Sequence, residues 1–119
     1  MSNQSVYLIE PQSLFVPALL EVFDEAGLQL RGVSSDADAR LLLDAQPDIL
    51  FIDIDYMQQE PGRLIELLGS LLPRSSICVY TGIAHWLKDR LPCNTRVLSK
   101  HADRQQIVNG LRSCFLHSV

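Results

Sequence analysis

The sequence predicts an α/β fold: a doubly wound, five-stranded parallel sheet with helices on both faces. Short β-type runs alternate with helical patterns along the chain. The run over 49–54 is apolar without alternation until its acid, which is typical of a central parallel strand covered on both faces. Parallel neighbours need crossover helices, so five such units in 119 residues fill one domain, which we expect to span 1–119.

The first unit begins with a strand over 5–9, which Pro11 stops. Ser13 is predicted to cap the first helix, and Gly27 stands where a left-handed residue would end it. Pro17 falls in the early turns, where its missing N–H matters least. The predicted buried face of this helix consists of Phe15, Leu19, Val22, Phe23 and Ala26.

A second strand, over 28–33, leads into the second helix. Ser35 and Asp38 are spaced like a capping box with Asp in place of Glu or Gln, so Ser35 is predicted to cap this helix. Pro47 ends the unit. The residues predicted to face inward are Ala37, Leu41, Leu42 and Ala45.

The remaining units repeat the alternation. A loop over 60–62 precedes the third helix, which Pro73 closes. Strands are predicted over 76–80 and 95–99, separated by a short segment that contains Trp86. The predicted inward residues of the third helix are Leu64, Leu67, Leu68 and Leu71, and those of the last helix are Ile107, Leu111, Cys114 and Phe115.

Charge and composition exclude several classes of protein. Ten Lys and Arg against fourteen Asp and Glu give a formal charge of −4, which lacks the cationic excess of a nucleic-acid binder or of a protein for anionic membranes. No apolar run approaches the length of a membrane span, so we expect a cytoplasmic protein. Cys78, Cys93 and Cys114 lack the close spacing of zinc ligands and are expected to be reduced.

Ligand sites in doubly wound sheets form outside the carboxyl ends of the strands, which selects the residues to consider. Glu10 follows the first predicted strand, and Asp53 and Asp55 come at the end of the third. Thr81 follows the fourth strand and Lys100 the fifth. Four strands therefore bring carboxylates, a hydroxyl and an ammonium group to one edge of the sheet.

Asp53 ends an apolar strand, so its carboxylate needs a cation or several hydrogen-bond donors. If Asp53 attacked an activated phosphoryl group, the transition state would need a metal, an ammonium group and a donor to a phosphoryl oxygen. Mg²⁺, Lys100 and Thr81 would fill those roles. The other interpretation is a buried ion pair between Asp53 and Lys100 that locks two strands, and the spacing alone leaves both open.

Along nearly its whole length the chain resembles a receiver domain of two-component response regulators. The segment over 47–53 (PDILFID) resembles the third strand of that family, which ends in the phosphoacceptor aspartate. Thr81 matches the family's Ser/Thr, and the segment over 98–100 (LSK) matches the strand that ends in its lysine. The segments over 99–103 and 14–15 are similar to receivers of LuxR-type regulators.

The resemblance implies a flavodoxin-like sheet with strand order 2-1-3-4-5 and a signalling role without enzyme activity. Phosphate would pass from a histidine kinase or a phosphotransfer protein to Asp53, with Thr81 and Lys100 assisting. The output would be contact with a protein partner, or self-association, through the fourth helix, fifth strand and fifth helix. The metal ligands implied for Mg²⁺ are Glu10, Asp53 and the backbone carbonyl of Asp55.

Several residues depart from the family pattern. Pro11 stands where the family has a second acid after the first strand, so Mg²⁺ binding is expected to be weakened or absent. Val97 stands where the family has an aromatic switch residue, three positions before Lys100. The interval from Thr81 to Lys100 is about one helical turn shorter than usual, so the fourth helix is expected to be stunted.

Two modes of action and one rival function follow. The chain is either a weakly phosphorylatable switch or a pseudo-receiver that acts by protein contact alone. The rival is a small phosphatase with an aspartate nucleophile, because Asp53-Ile54-Asp55 resembles the Asp-x-Asp of haloacid-dehalogenase phosphatases. Those enzymes carry the pair on their first strand and need a further acidic motif after the lysine, where only Asp103 is available here.

Overall fold

A computed structural model describes residues 4–92 and 95–116, with side chains through 114. Its five strands form one parallel sheet in the order β2-β1-β3-β4-β5, which confirms the predicted topology. The strands are β1 (Ser5–Ile9), β2 (Gln29–Ser34), β3 (Ile49–Asp53), β4 (Ser76–Thr81) and β5 (Arg96–Ser99). The fourth strand thus includes Thr81, and the fifth begins one residue later than predicted.

Five helices connect or follow the strands. They are α1 (Val16–Glu25), α2 (Ala39–Ala45), α3 (Pro61–Leu71), α4 (Ala84–Leu87) and α5 (Arg104–Leu116). A 3₁₀ turn, Ser13–Phe15, precedes α1, and another, Lys88–Arg90, follows α4. The fourth helix has four residues, which confirms that it is stunted. No helix of the described ranges has the length and apolar character to cross a membrane.

The sheet separates two apolar cores, and β3 contributes to both. Phe51 packs on one face with residues of α1 and α5, and its ring centroid lies 5.1 Å from that of Phe23. Leu50 and Ile52 point to the other face, where they pack with Leu42 of α2 and with α3. Burial on both faces explains why β3 shows no polar alternation before Asp53.

The start of the first helix was predicted wrongly. Ser13 lies in the 3₁₀ turn, and the residue before α1 is Phe15, whose side chain makes no capping hydrogen bond. Pro17 lies in the first turn of α1, where its fixed φ favours a helix start. Phe15 was predicted to be buried, but it precedes the helix, is 42% exposed and does not join the core. Gly27 has the predicted left-handed φ, 80°.

Three further helix predictions need correction. Asp38, not Ser35, caps α2, because its Oδ1 accepts hydrogen bonds from the backbone N–H of Arg40 and Leu41 at 3.0 and 3.2 Å. The helix is therefore only seven residues long and buries one narrow stripe through Leu42, which leaves Leu41 on the exposed side. Leu67 of α3 is also exposed, whereas its neighbours Leu64 and Leu68 are buried.

Two of the three cysteines lie in the described side chains and are free thiols, as predicted. Cys78 of β4 and Cys114 of α5 are buried, with 3.5 Å between their sulfur atoms. Their contact holds the pKa of the Cys114 thiol at about 7 and, together with burial, raises that of Cys78. Cys93 lies outside the described residues, as does the side chain of Phe115.

Candidate functional site

The predicted site residues meet at the carboxyl edge of the sheet, as the topology predicts: Glu10, Asp53, Asp55, Thr81 and Lys100. Contacts under 3.1 Å join Lys100 to Asp53 and Asp55, and Thr81 to Asp55. Of the four buried polar residues in the described chain, three belong to this group: Glu10, Asp53 and Thr81. Burial of polar groups is costly without partners, so the arrangement of their partners defines the site.

Asp53 forms the centre of the group and has no exposed surface. Its Oδ2 lies 2.8 Å from Nζ of Lys100, and its Oδ1 accepts the backbone N–H of Asp55 at 3.0 Å. Partial burial lowers the pKa of Lys100, but its bonds to Asp53 and Asp55 outweigh that effect and raise it above its ordinary value. The predicted ion pair is therefore present, and the lysine is charged.

Lys100 is also held by its backbone and by two aromatic rings. Its N–H donates to the carbonyl of Thr81 at 2.9 Å, which fixes the turn after β5 to the end of β4. Its Nζ lies 4.9 Å from the ring centroid of Tyr56 and 5.5 Å from that of Tyr80, within the range of cation–π attraction. Neither tyrosine was predicted as part of the site, although Tyr80 directly precedes Thr81, a residue of the predicted site.

Asp55 is engaged through its side chain, which the sequence did not predict. Its Oδ1 accepts the Thr81 hydroxyl at 2.6 Å, and its Oδ2 accepts the Gly82 N–H at 2.9 Å. The same Oδ2 lies 3.0 Å from Nζ of Lys100. Partial burial raises the pKa of Asp55, but these contacts outweigh it and hold the pKa below its usual value. Its side chain therefore binds the end of β4 and Lys100, and the role of its backbone carbonyl as a metal ligand stays a prediction.

Glu10 follows β1 and is buried beside Asp53. Pro11 has no N–H, and Glu10 Oε2 accepts the N–H of the next residue, Gln12, at 2.9 Å. Burial, followed by the nearby Asp53 carboxyl, raises the pKa of Glu10 to about 7. At neutral pH this side chain is therefore divided between its acid and carboxylate forms.

Glu10 Oε1 is a buried oxygen with no hydrogen-bond partner within the described ranges, and the only ion-pair partner of the buried Asp53 Oδ2 there is the Lys100 ammonium, 2.8 Å away. Such oxygens suit a hard cation, and Mg²⁺ is commonly held by one or two carboxylates with water completing its shell. No cluster of three or more ligating side chains occurs within 4–92 and 95–116. Glu10 and Asp53 could therefore hold Mg²⁺ with the smallest number of carboxylate ligands that such sites use. Pro11 adds no side-chain oxygen to them.

Thr81 links the site to the start of α4. The Thr81 hydroxyl donates to Asp55 and accepts the N–H of Ile83 at 3.1 Å, just before α4. Trp86 of α4 is 48% exposed, with the Arg90 guanidinium 4.0 Å from its ring centroid. Val97 lies in β5 beside Val79 and offers no aromatic side chain. A change at Thr81 would therefore reach α4 through the backbone of Ile83.

Comparison with known proteins identifies the fold. No family model and no curated protein matches the sequence. A two-component transcriptional regulator, AraC, from Clostridium phytofermentans ISDg is similar at a TM-score of 0.80 and 15% identity, covering 98% of this chain and 95% of that one. A LuxR-family DNA-binding response regulator from Staphylococcus aureus is similar at 0.77 and 11%, covering 93% and 98%.

A third solved structure, the CheX-CheY-BeF3-Mg+2 complex from Borrelia burgdorferi, is similar at a TM-score of 0.73 and 16% identity, covering 94% of this chain and 89% of that one. Identities in this range establish the fold and leave the site chemistry to the residues themselves. The strand order and near-complete coverage agree with the resemblance found in the sequence. The chain therefore has the receiver-domain fold of two-component response regulators.

Proposed function

We propose that the chain is a signalling receiver domain whose phosphoacceptor is Asp53. The observation that carries the proposal is the ion pair of Asp53 with Lys100 at the end of β3, beside the Thr81 hydroxyl. A nucleophile, an ammonium group and a hydroxyl donor are what transfer of a phosphoryl group to a carboxylate requires. The proposed donor is a histidine kinase or a phosphotransfer protein.

In the proposed reaction, a carboxylate oxygen of Asp53 attacks the phosphorus of a phosphohistidine. The new O–P bond forms as the P–N bond breaks, and the departing imidazole nitrogen keeps the electron pair and takes a proton from water. Lys100 neutralises charge on the phosphoryl oxygens, and Thr81 donates a hydrogen bond to one of them. The product is an aspartyl phosphate at the carboxyl edge of the sheet.

Mg²⁺ is the proposed cofactor, held weakly by Glu10 and Asp53. It would supply positive charge that stabilises the anionic oxygens during transfer. The raised pKa of Glu10 opposes this at neutral pH, since a metal ligand must first lose its proton. The neighbour from Borrelia burgdorferi, a complex with BeF3 and Mg+2, supports the choice of ion.

The pseudo-receiver mode is the second candidate, and one observation favours it. Asp53 is 0% exposed, so a phosphoryl donor cannot reach it until neighbouring side chains move. In that mode the Asp53–Lys100 pair only stabilises the fold, and function resides in protein contacts. Either mode would use the surface of α4, β5 and α5 for a protein partner or for self-association, and neither requires enzyme activity.

The phosphatase alternative is not favoured. A haloacid-dehalogenase-like mechanism needs the second acid of the Asp-x-Asp pair as a proton donor. Asp55 has a lowered pKa and accepts hydrogen bonds from Thr81 and Gly82, so it is ionised at neutral pH. An ionised acid that is fully engaged as an acceptor cannot protonate a leaving group.

The direct test is phosphorylation by a small phosphodonor. Intact-protein mass spectrometry after incubation with acetyl phosphate and Mg²⁺ should show one added phosphoryl group in the wild type and none in Asp53→Asn. Loss of the label in hydroxylamine would identify an acyl phosphate. An unmodified wild type at millimolar Mg²⁺ would reject Asp53 as acceptor and leave the pseudo-receiver. Steady release of phosphate from a phosphomonoester would instead support the phosphatase.

A further inference from the structure

The Asp55 carboxylate is surrounded by donor groups. Three donors of different kinds converge on it: the Thr81 hydroxyl at 2.6 Å, the Gly82 N–H at 2.9 Å and the Lys100 ammonium at 3.0 Å. The backbone N–H of Asp55 donates to Asp53 Oδ1 at 3.0 Å, which anchors the loop at the phosphoacceptor itself. The carboxylate is 26% exposed on its outer side, whereas Asp53 behind it has no exposed surface.

These donors are the ones that the proposed phosphoryl transfer needs. Thr81 and Lys100 were assigned to the phosphoryl group, and both are already bound to Asp55. The hydroxyl has a single proton, so it cannot donate to Asp55 and to a phosphoryl oxygen at once. The Gly82 N–H is likewise committed. Phosphoryl oxygens and the Asp55 carboxylate therefore compete for the same atoms.

Charge strengthens the competition. The carboxylates of Asp53 and Asp55 share one described cation, Lys100, at the carboxyl edge. A phosphoryl group brings further negative charge, which would lie beside Asp55 if that side chain stayed in place. Like charges in contact in a partly buried site oppose binding strongly.

We propose that the Asp55 carboxylate is a resident anion that fills an oxyanion-binding site formed by Thr81, Gly82 and Lys100. A phosphate-class anion binds there when Asp55 leaves. One consequence, that Asp55 restrains phosphorylation of Asp53, rests on the proposed function. The anion site itself is defined by the three donors and can be tested without any phosphoryl transfer.

The first experiment titrates inorganic phosphate, without Mg²⁺, into ¹⁵N-labelled protein and follows the Gly82 and Thr81 amide signals. Asp55→Ala is expected to bind phosphate about tenfold or more tightly than the wild type, because the donors are vacated and one negative charge is removed. Asp44→Ala, which removes an exposed acid of α2, is the charge-matched control and should behave as the wild type. Lys100→Met in the Asp55→Ala background should abolish the gain.

Equal phosphate affinity in Asp55→Ala and Asp44→Ala, or shifts that avoid Gly82, would overturn the proposal. If Asp55→Ala does not fold, as judged by amide dispersion, Asp55→Asn takes its place. That variant keeps the side-chain volume and loses the charge, and a folded Asp55→Asn that binds no more tightly than the control would overturn the proposal equally.

A second arm separates this inference from the proposed function. The Asp53→Asn/Asp55→Ala double variant lacks the phosphoacceptor but keeps the three donors, so it should still bind phosphate. If the double variant binds phosphate and acetyl phosphate labels neither the wild type nor Asp55→Ala, the anion site is supported and Asp53 is rejected as the phosphoacceptor. If the wild type is labelled as fast as Asp55→Ala, Asp53 accepts phosphate and Asp55 is not a restraint.

Discussion

Lys100 Nζ lies 2.8 Å from Asp53 Oδ2, and this contact spans β4 to join the end of β5 to the end of β3. Asp53 is fully buried, whereas the lysine side chain is 20% exposed. Removing the cation would leave a buried carboxylate with one backbone donor, that of Asp55. The pair therefore matters for stability whether or not Asp53 accepts phosphate.

We predict that Lys100→Met lowers the free energy of unfolding by about 1–3 kcal/mol, below the range for a fully buried pair because water screens the lysine. Adding Asp53→Asn should recover part of the loss, since it removes the unpaired charge. Urea unfolding of the wild type, both single variants and the double variant measures this coupling. Lys88→Met, at an exposed residue, is the control. A coupling energy near zero would show that the pair contributes nothing to stability.

The raised pKa of Glu10 predicts a pH dependence of stability. Burial, followed by the neighbouring Asp53 carboxyl, lifts the pKa of Glu10 from 4.5 to about 7, so between these values the folded state holds a proton that the unfolded state has lost. The stabilisation is complete below pH 4.5 and is lost as pH rises through about 7, a change of about 3 kcal/mol at most. Glu10→Gln has no such proton to lose.

The measurement is the difference in unfolding free energy between the wild type and Glu10→Gln from pH 4 to 9. The wild type should lose stability relative to the variant across that window, because titrating groups that do not interact with Glu10 cancel in the difference. A difference that is constant with pH would mean that Glu10 titrates normally in the folded protein.

Replacing Pro11 tests the account of the cation site. Pro11→Asp adds a carboxylate next to Glu10 and should raise Mg²⁺ affinity about tenfold, because Mg²⁺ sites strengthen with each oxygen ligand. Pro11→Ala separates the new carboxylate from the loss of the ring and should bind as the wild type does. Mg²⁺ titrations followed by the Asp53 and Asp55 amide shifts provide the affinities. A folded Pro11→Asp with unchanged affinity would place residue 11 away from the cation.

The start of α2 gives a prediction about stability alone. Asp38→Ala removes the side chain that accepts hydrogen bonds from Arg40 and Leu41, and should cost about 1 kcal/mol. Ser35→Ala, at the cap expected from the sequence, should have almost no effect. Thermal or urea unfolding compares the two. Equal losses would mean that α2 begins three residues earlier than the structure places it.

The sheet and the edge that carries the site were predictable because both follow from hydrophobic pattern and topology. The unbroken apolar run of β3 implies burial on both faces, and parallel order then brings Asp53, Thr81 and Lys100 to one edge. Helix starts were less predictable, since several residues before a helix can serve as caps. Pro17 shifts the start of α1, and Asp38 displaces Ser35 at α2.

The contacts of Asp55 could not be read from the sequence. They depend on the conformation of the loop after β3, which the Asp53–Asp55 hydrogen bond and the end of β4 determine together. Tyr56 was missed for the same reason, because no periodic pattern places a loop side chain. The start of α5, in contrast, could have been predicted, because Asp103 and Gln106 have the spacing of a capping box. The Gln106 N–H donates to Asp103 Oδ1 at 2.8 Å, and the Asp103 N–H donates to Gln106 Oε1 at 2.9 Å.

Asp53 is the proposed acceptor of a phosphoryl group at this edge. Titration with beryllofluoride and Mg²⁺ tests it most directly, with amide shifts of Asp53, Thr81 and Lys100 and the fluorescence of Trp86, the single tryptophan of the chain, as readouts. We predict a saturable change that requires Mg²⁺, reaches Trp86 through Ile83, and disappears in Asp53→Asn. No change in the wild type at millimolar Mg²⁺, or the same change in Asp53→Asn, would contradict the claim.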